Sequence, residues 1–124
     1  MGLSFPGTGA QIDKLWENKN PEAVDSGKID LDLSTYDAVL VTVVHSVGRP
    51  VTHSTGIVVK DKMYHGVMSI SNTEPGYITG RLFYVWDDKL EYMNGYFVNA
   101  ASTGIYSTSA PDCCVPVAVY GIRF

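Results

Sequence analysis

The sequence predicts an all-β fold, an antiparallel β-sandwich in jelly-roll order with a short N-terminal extension. Three observations carry this. From Ile29 onward, β-branched and aromatic residues cluster in short runs. Gly, Pro, Asn and Asp separate those runs at turn-like spacings. Nothing longer than one turn has a helical period.

The extension is the stretch "MGLSFPGTGAQIDK", residues 1–14, which is turn-rich and short of core residues. It reads as an attachment segment, with residues 15–124 as the sandwich domain. Its removal is then expected to leave a folded domain that no longer joins a larger assembly. One helical turn is expected near Ala10 to Trp16, where Ile12, Leu15 and Trp16 share a face. A strand near Leu15 to Asn18 follows, and then Val24 to Leu33. In that second strand Ile29, Leu31 and Leu33 alternate with Asp30 and Asp32. One face therefore meets a core and the other meets water.

Asp37 to Ser46 differs in kind. Ala38, Val39, Leu40, Val41, Val43 and Val44 leave Thr42 as the polar exception, which implies burial on both faces. The cover for its second face is either another part of the same chain or a neighbouring subunit. On the second alternative Val39, Val41 and Val43 form an oligomer interface. Further strands are expected at Ser54 to Lys60, Lys62 to Ser71, Ile78 to Trp86, Lys89 to Val98 and Cys114 to Arg123. Turns fall at "VGRP", "NTEPG", "DDK" and "SAPD".

Length and composition bound the function. At 124 residues, 45% hydrophobic and 18% charged, the chain suits one folded domain rather than a disordered tail. A net charge of −4, with no Lys/Arg-rich segment, excludes a phosphate-binding face, so no nucleic acid partner is expected. No window reaches the apolar length of a membrane span, and the N-terminus lacks the features of a signal peptide. The expectation is a chain made in the cytoplasm without membrane insertion.

Chemistry-bearing residues are few. Cys113 and Cys114 are adjacent, so they read as two reduced, buried thiols. His45, His53 and His65 lack ligand spacing, and no metal or other cofactor is expected. His45 and His53 read as polar loop residues beside "SVGRPVT", and His65 lies beside a turn at Lys62. Asp30 with Asp32, and Asp87 with Asp88, read as solvated or turn-forming carboxylates. No nucleophile stands in a Gly-x-Ser-x-Gly setting, and no enzyme is expected. The stretches "NAASTGIYSTSAPD" and "SNTEPGY" instead mix Tyr with Ser, Thr, Asn and Gly, a combination suited to recognition. Tyr106, Tyr77, Thr103, Ser107 and Ser109 are the candidate ligand contacts, with cell-surface carbohydrate as the natural ligand.

"LWENKNPEA" from Leu15, "IDLDLSTYDAVLV" from Ile29 and "CVPVAVYGIRF" from Cys114 carry a further signal. As a set they resemble a small β-domain of structural proteins in tailed bacteriophages and prophages. There a Leu-Trp-x-Asn opening, a Leu-Asp-Leu-Ser-x-Tyr-Asp segment and a closing Tyr-Gly-Ile strand recur. The resemblance spans Leu15 to the end of the chain, with a diverged middle, and the motifs are structural in nature. It implies a virion component attached to other virion proteins through residues 1–14, homo-oligomeric with a trimer favoured. A tail-associated module, at a fibre tip or baseplate appendage, is the expected role. A capsid decoration or head-fibre protein is the alternative, and a glycan-cleaving phage enzyme is a disfavoured third.

Overall fold

The computed structural model describes residues 2–4, 11–71, 77–99 and 106–124, and among these there are eleven strands and no helix. In chain order they are β1 (Gly2–Ser4), β2 (Gln11–Glu17), β3 (Gly27–Asp30), β4 (Ala38–Ser46), β5 (Arg49–Val59), β6 (His65–Ile70), β7 (Tyr77–Val85), β8 (Lys89–Tyr92), β9 (Tyr96–Asn99), β10 (Tyr106–Ser109) and β11 (Cys113–Arg123). They form two antiparallel sheets, β1-β2-β11-β4-β5 and β10-β9-β7-β8-β3, with β6 on the other edge of β7. The all-β sandwich is what the sequence predicts. The finer jelly-roll order is not established by this arrangement, in which β4–β5, β6–β7 and β7–β8 are simple hairpins.

The core lies between the sheets and is built on Val39, Val41, Val43, Val58, Phe83, Leu90 and Val119, with Leu33 closing one side. Ile29 and Leu33 are buried, while Asp30 and Asp32 stay exposed, as the alternation requires. The inner face of β4 is enclosed by the second sheet of its own chain, and on the outer face Ala38 and Val44 are buried while Leu40 and Thr42 are half-buried. Val39, Val41 and Val43 are each 0% exposed inside the core cluster, so they are not an oligomer interface. Ala38 and Val44 are equally enclosed on a strand flanked by β11 and β5.

The N-terminal boundary moves. β2 begins at Gln11 and pairs with β11 through Arg123↔Gln11, Ile122↔Ile12 and Gly121↔Asp13, while β1 pairs with β2 in turn. The division between residues 14 and 15 thus falls inside a strand, and the helical turn expected over Ala10 to Trp16 is replaced by that strand from Gln11 onward. The strand expected over Lys89 to Val98 is interrupted at Met93 to Gly95. Both of its halves lie on the same edge of β7, opposite β6.

Two of the quoted sequence segments meet Asp13 at one corner, through Tyr36 and Arg123. The Tyr36 hydroxyl donates to Asp13 Oδ2 at 2.8 Å, and Arg123 Nη1 donates to the same oxygen at 2.9 Å. The Arg123 guanidinium lies over the Tyr36 ring, 4.3 Å from its centroid. The hydrogen bond from Tyr36, followed by the charge of Arg123, holds the Asp13 carboxyl below its ordinary pKa. The ring of Tyr36 also rests on Gly121, where an added Cβ would lie 2.5 Å from a ring carbon. Gly121→Ala is therefore expected to lose about 1–3 kcal/mol in urea denaturation, because the ring has to move. A loss below about 0.5 kcal/mol, the scale of ordinary surface changes, would contradict this contact.

Candidate functional site

At the end of the sandwich where β4 stops and β7 and β11 start, the two sheets leave a pocket of about 310 Å³. Alternation along β4 points His45 inward, and the pairing Cys113↔Ser46 brings the turn before β11 beside it. From the second sheet come Tyr77 and Thr79 on β7, Phe97 on β9 and Thr108 on β10. Ser46, Ala110, Asp112 and Cys113 complete the lining.

The polar side of this pocket is fixed by hydrogen bonds. His45 is 5% exposed, and its Nδ1 is bonded to Ser69 Oγ and Thr79 Oγ1, each at 3.1 Å. Thr79 Oγ1 continues to Cys114 Sγ at 3.3 Å, so a buried polar chain crosses between the sheets. Asp112 Oδ2 accepts from Ser46 Oγ at 3.1 Å, and the Asp112 carbonyl accepts from Val47 N at 3.0 Å. Burial pushes the Cys113 thiol pKa up to about 12, so Cys113 stays neutral near pH 7. The apolar side is an edge-to-face pair, Tyr77 and Phe97, with ring centroids 5.0 Å apart on paired strands.

The residues predicted as ligand contacts are distributed unevenly. Tyr77 lines the pocket. Ser109 is exposed on β10 and accepts from Asn94 Nδ2 at 2.5 Å, away from the lining. Tyr106 and Ser107 lie in β10, paired with Asn99 and Val98, and their side chains fall outside the described residues. Thr103 lies outside the described residues altogether. The stretch read as one loop, Asn99 to Asp112, thus contains a strand. Neither histidine is a loop residue: His45 is buried on β4, and His53 is exposed on β5, where it pairs with Val44. His65 Nε2 meets Asp61 Oδ1 at 2.9 Å. Among the described residues no group of His, Cys, Asp and Glu is arranged to hold a metal.

A second feature lies on the outer face of the second sheet. Met68 is 65% exposed, Ile70 67%, Leu82 47% and Tyr96 55%. Outward positions on the three adjacent strands are Gly66, Met68 and Ile70 on β6, Ile78, Gly80 and Leu82 on β7, and Tyr96 and Val98 on β9. None carries a charge. Sequence reading missed this face because β6 inverts the usual pattern, with Ser69 buried against His45 while Met68 and Ile70 meet solvent. Beyond it, Tyr84 stands 5.0 Å from Tyr64 and 4.6 Å from Trp86, measured between ring centroids. Glu91 Oε1 accepts from both Tyr64 Oη and Trp86 Nε1, each at 3.2 Å.

Compared with known proteins, the chain matches no family model, no curated protein and no solved structure.

Proposed function

We propose that this chain is a non-enzymatic structural protein of a bacteriophage particle, tail-associated at a fibre tip or baseplate appendage. It works as a homo-oligomer, with three copies favoured, and its β9–β10 end meets glycans of the host surface. The observation that carries the assembled state is the uncharged face of Met68, Ile70, Leu82 and Tyr96. An apolar face of this kind on an otherwise soluble domain marks an interaction surface. Two copies of a chain with net charge −4 repel least where neither presents a charge. The phage-like motifs supply the particle context. Of the carboxylates weighed for paired-carboxylate chemistry, three already have partners within the chain. Asp30 pairs with Lys28 and Asp87 with Lys60, while Asp32 accepts from Ser34.

Light scattering at micromolar concentration is expected to give an oligomer, and Met68→Asp is expected to give a monomer with an unchanged melting curve. A monomeric wild-type chain would overturn the assembled state. Immunogold labelling of purified particles then separates the tail from the capsid: label on the head would favour the decoration or head-fibre reading. Of the segment expected to attach the chain to other virion proteins, β1 is suited to that role as an edge strand of the first sheet.

A further inference from the structure

We propose that the pocket between β4, β7, β9 and the turn before β11 binds one terminal pyranose residue of a neutral or amino-sugar glycan. This rests on the glycan-recognition reading above and gives it a site and a ligand class. The volume of about 310 Å³ lies at the small end of ligand sites, a size suited to one sugar ring.

The lining divides as a pyranose does. A sugar ring has C–H faces that pack on aromatic rings and an edge of hydroxyls that needs donors and acceptors. Tyr77 and Phe97 offer the aromatic wall. Asp112, whose Oδ2 already accepts from Ser46 Oγ, keeps Oδ1 to accept from a sugar hydroxyl, and Thr108 lines the same pocket. His45 and Thr79, at the base, are held by their mutual bond at 3.1 Å.

These groups sit on strands and on a turn pinned by Val47 N to Asp112 O at 3.0 Å and Cys113 N to Ala110 O at 3.2 Å. Little side-chain or backbone ordering therefore remains to be done on binding. The sign of the charge selects among sugars. Asp112 is the carboxylate of the lining, and Cys113 adds no anion, since its thiol stays protonated. Acidic sugars meet a like charge there, whereas an amino sugar meets an opposite one.

The experiment uses the full chain and methyl glycosides of glucose, galactose, mannose, N-acetylglucosamine and glucosamine, with N-acetylneuraminic and glucuronic acids as the acidic set. Saturation-transfer NMR is expected to detect at least one neutral or amino glycoside and neither acid. Amide shifts are expected to centre on Tyr77, Phe97, Thr108 and Asp112. Asp112→Asn is expected to weaken that binding about ten-fold or more, through loss of charge-assisted hydrogen bonds. Phe97→Leu, which keeps an apolar side chain in place, is expected to weaken it too without lowering the melting temperature of the sandwich. Saturation of none of the neutral or amino glycosides, or preference for an acid, overturns the proposal. Binding retained in both variants, or amide shifts centred on Trp86 and Tyr84, overturns the pocket while leaving glycan recognition intact. The particle reading stands or falls separately, on immunogold labelling.

Discussion

Arg81→Met is expected to lower the folding free energy by about 3–5 kcal/mol, the scale of leaving several buried carbonyls without their donors. Arg81 is 2% exposed, and its guanidinium is surrounded by main-chain carbonyls rather than by a carboxylate. Nε lies 3.2 Å from Cys113 O and 3.1 Å from Cys114 O. Nη1 donates to Asp25 O at 3.2 Å and Met93 O at 2.8 Å. Nη2 donates to Pro111 O at 3.2 Å and Cys113 O at 2.9 Å. One side chain on β7 thereby ties the lead into β3, the break between β8 and β9, and the start of β11.

The backbone is shaped around this group. Successive carbonyls of a regular strand point to opposite edges, yet those of Cys113 and Cys114 both reach Nε. Cys114 has φ 50°, the left-handed conformation that turns two neighbouring carbonyls the same way. Gly95 fills the break between β8 and β9 because an added Cβ would run into the carbonyls of Ala110 and Cys113. Met at position 81 retains most of the volume, so the loss reads out unsatisfied carbonyls rather than a cavity. Each such carbonyl costs about 1–3 kcal/mol unless water reaches it. Thermal denaturation is expected to shift down on the order of 10–20 °C. Arg81→Lys is expected to recover only part, since an ammonium cannot span the whole fork of acceptors. A loss under about 1 kcal/mol for Met would mean that the carbonyls rehydrate and that the network holds nothing together.

What the sequence made legible, and what it hid, follows from how local each signal is. The alternation of Ile29, Leu31 and Leu33 with Asp30 and Asp32 is set by neighbours two residues apart, and it survived folding intact. The apolar run of β4 announced burial on both faces, which is complete on the inner face and partial on the outer. It could not say that the inner face is covered intramolecularly, because that depends on a partner sheet assembled from β3 and β6 to β10. β2 imitated a helix for a physical reason. The pairing with β11 shifts register between Val119 and Tyr120, leaving Leu15 as the extra residue, so Leu15 and Trp16 both pack against the core. That bulge breaks the alternation and creates the spacing of Ile12, Leu15 and Trp16 that a helical face would have. The pocket was the least legible part. Composition singled out Tyr77, but His45, Phe97 and Asp112 are joined to it only by sheet topology.

Deleting residues 1–14 is expected to abolish the cooperative melt of the sandwich, in contrast to the detachable tether suggested by its turn-rich sequence. The deletion removes Gln11 to Lys14, which pair with Arg123, Ile122, Gly121 and Tyr120. The C-terminal end of the closing strand then loses its neighbour along one edge, and ladder bonds are each worth about 0.5–1.5 kcal/mol net. Asp13 goes as well. Tyr36, which is buried, is left without the acceptor of its hydroxyl, and Arg123 without its carboxylate. An unpartnered buried hydroxyl adds about 1–3 kcal/mol. The total is on the order of 5 kcal/mol or more, comparable with the whole stability of a domain this size. Leu15 and Trp16 would survive the cut, but at a frayed terminus where they no longer hold the edge of the core. Removing residues 1–10 instead keeps β2 and the Asp13 contacts, so that chain is expected to melt cooperatively. Circular dichroism melts of the two truncations decide the matter: a cooperative transition in the longer deletion, close to that of the full chain, would show that β2 begins its structural work only at Leu15.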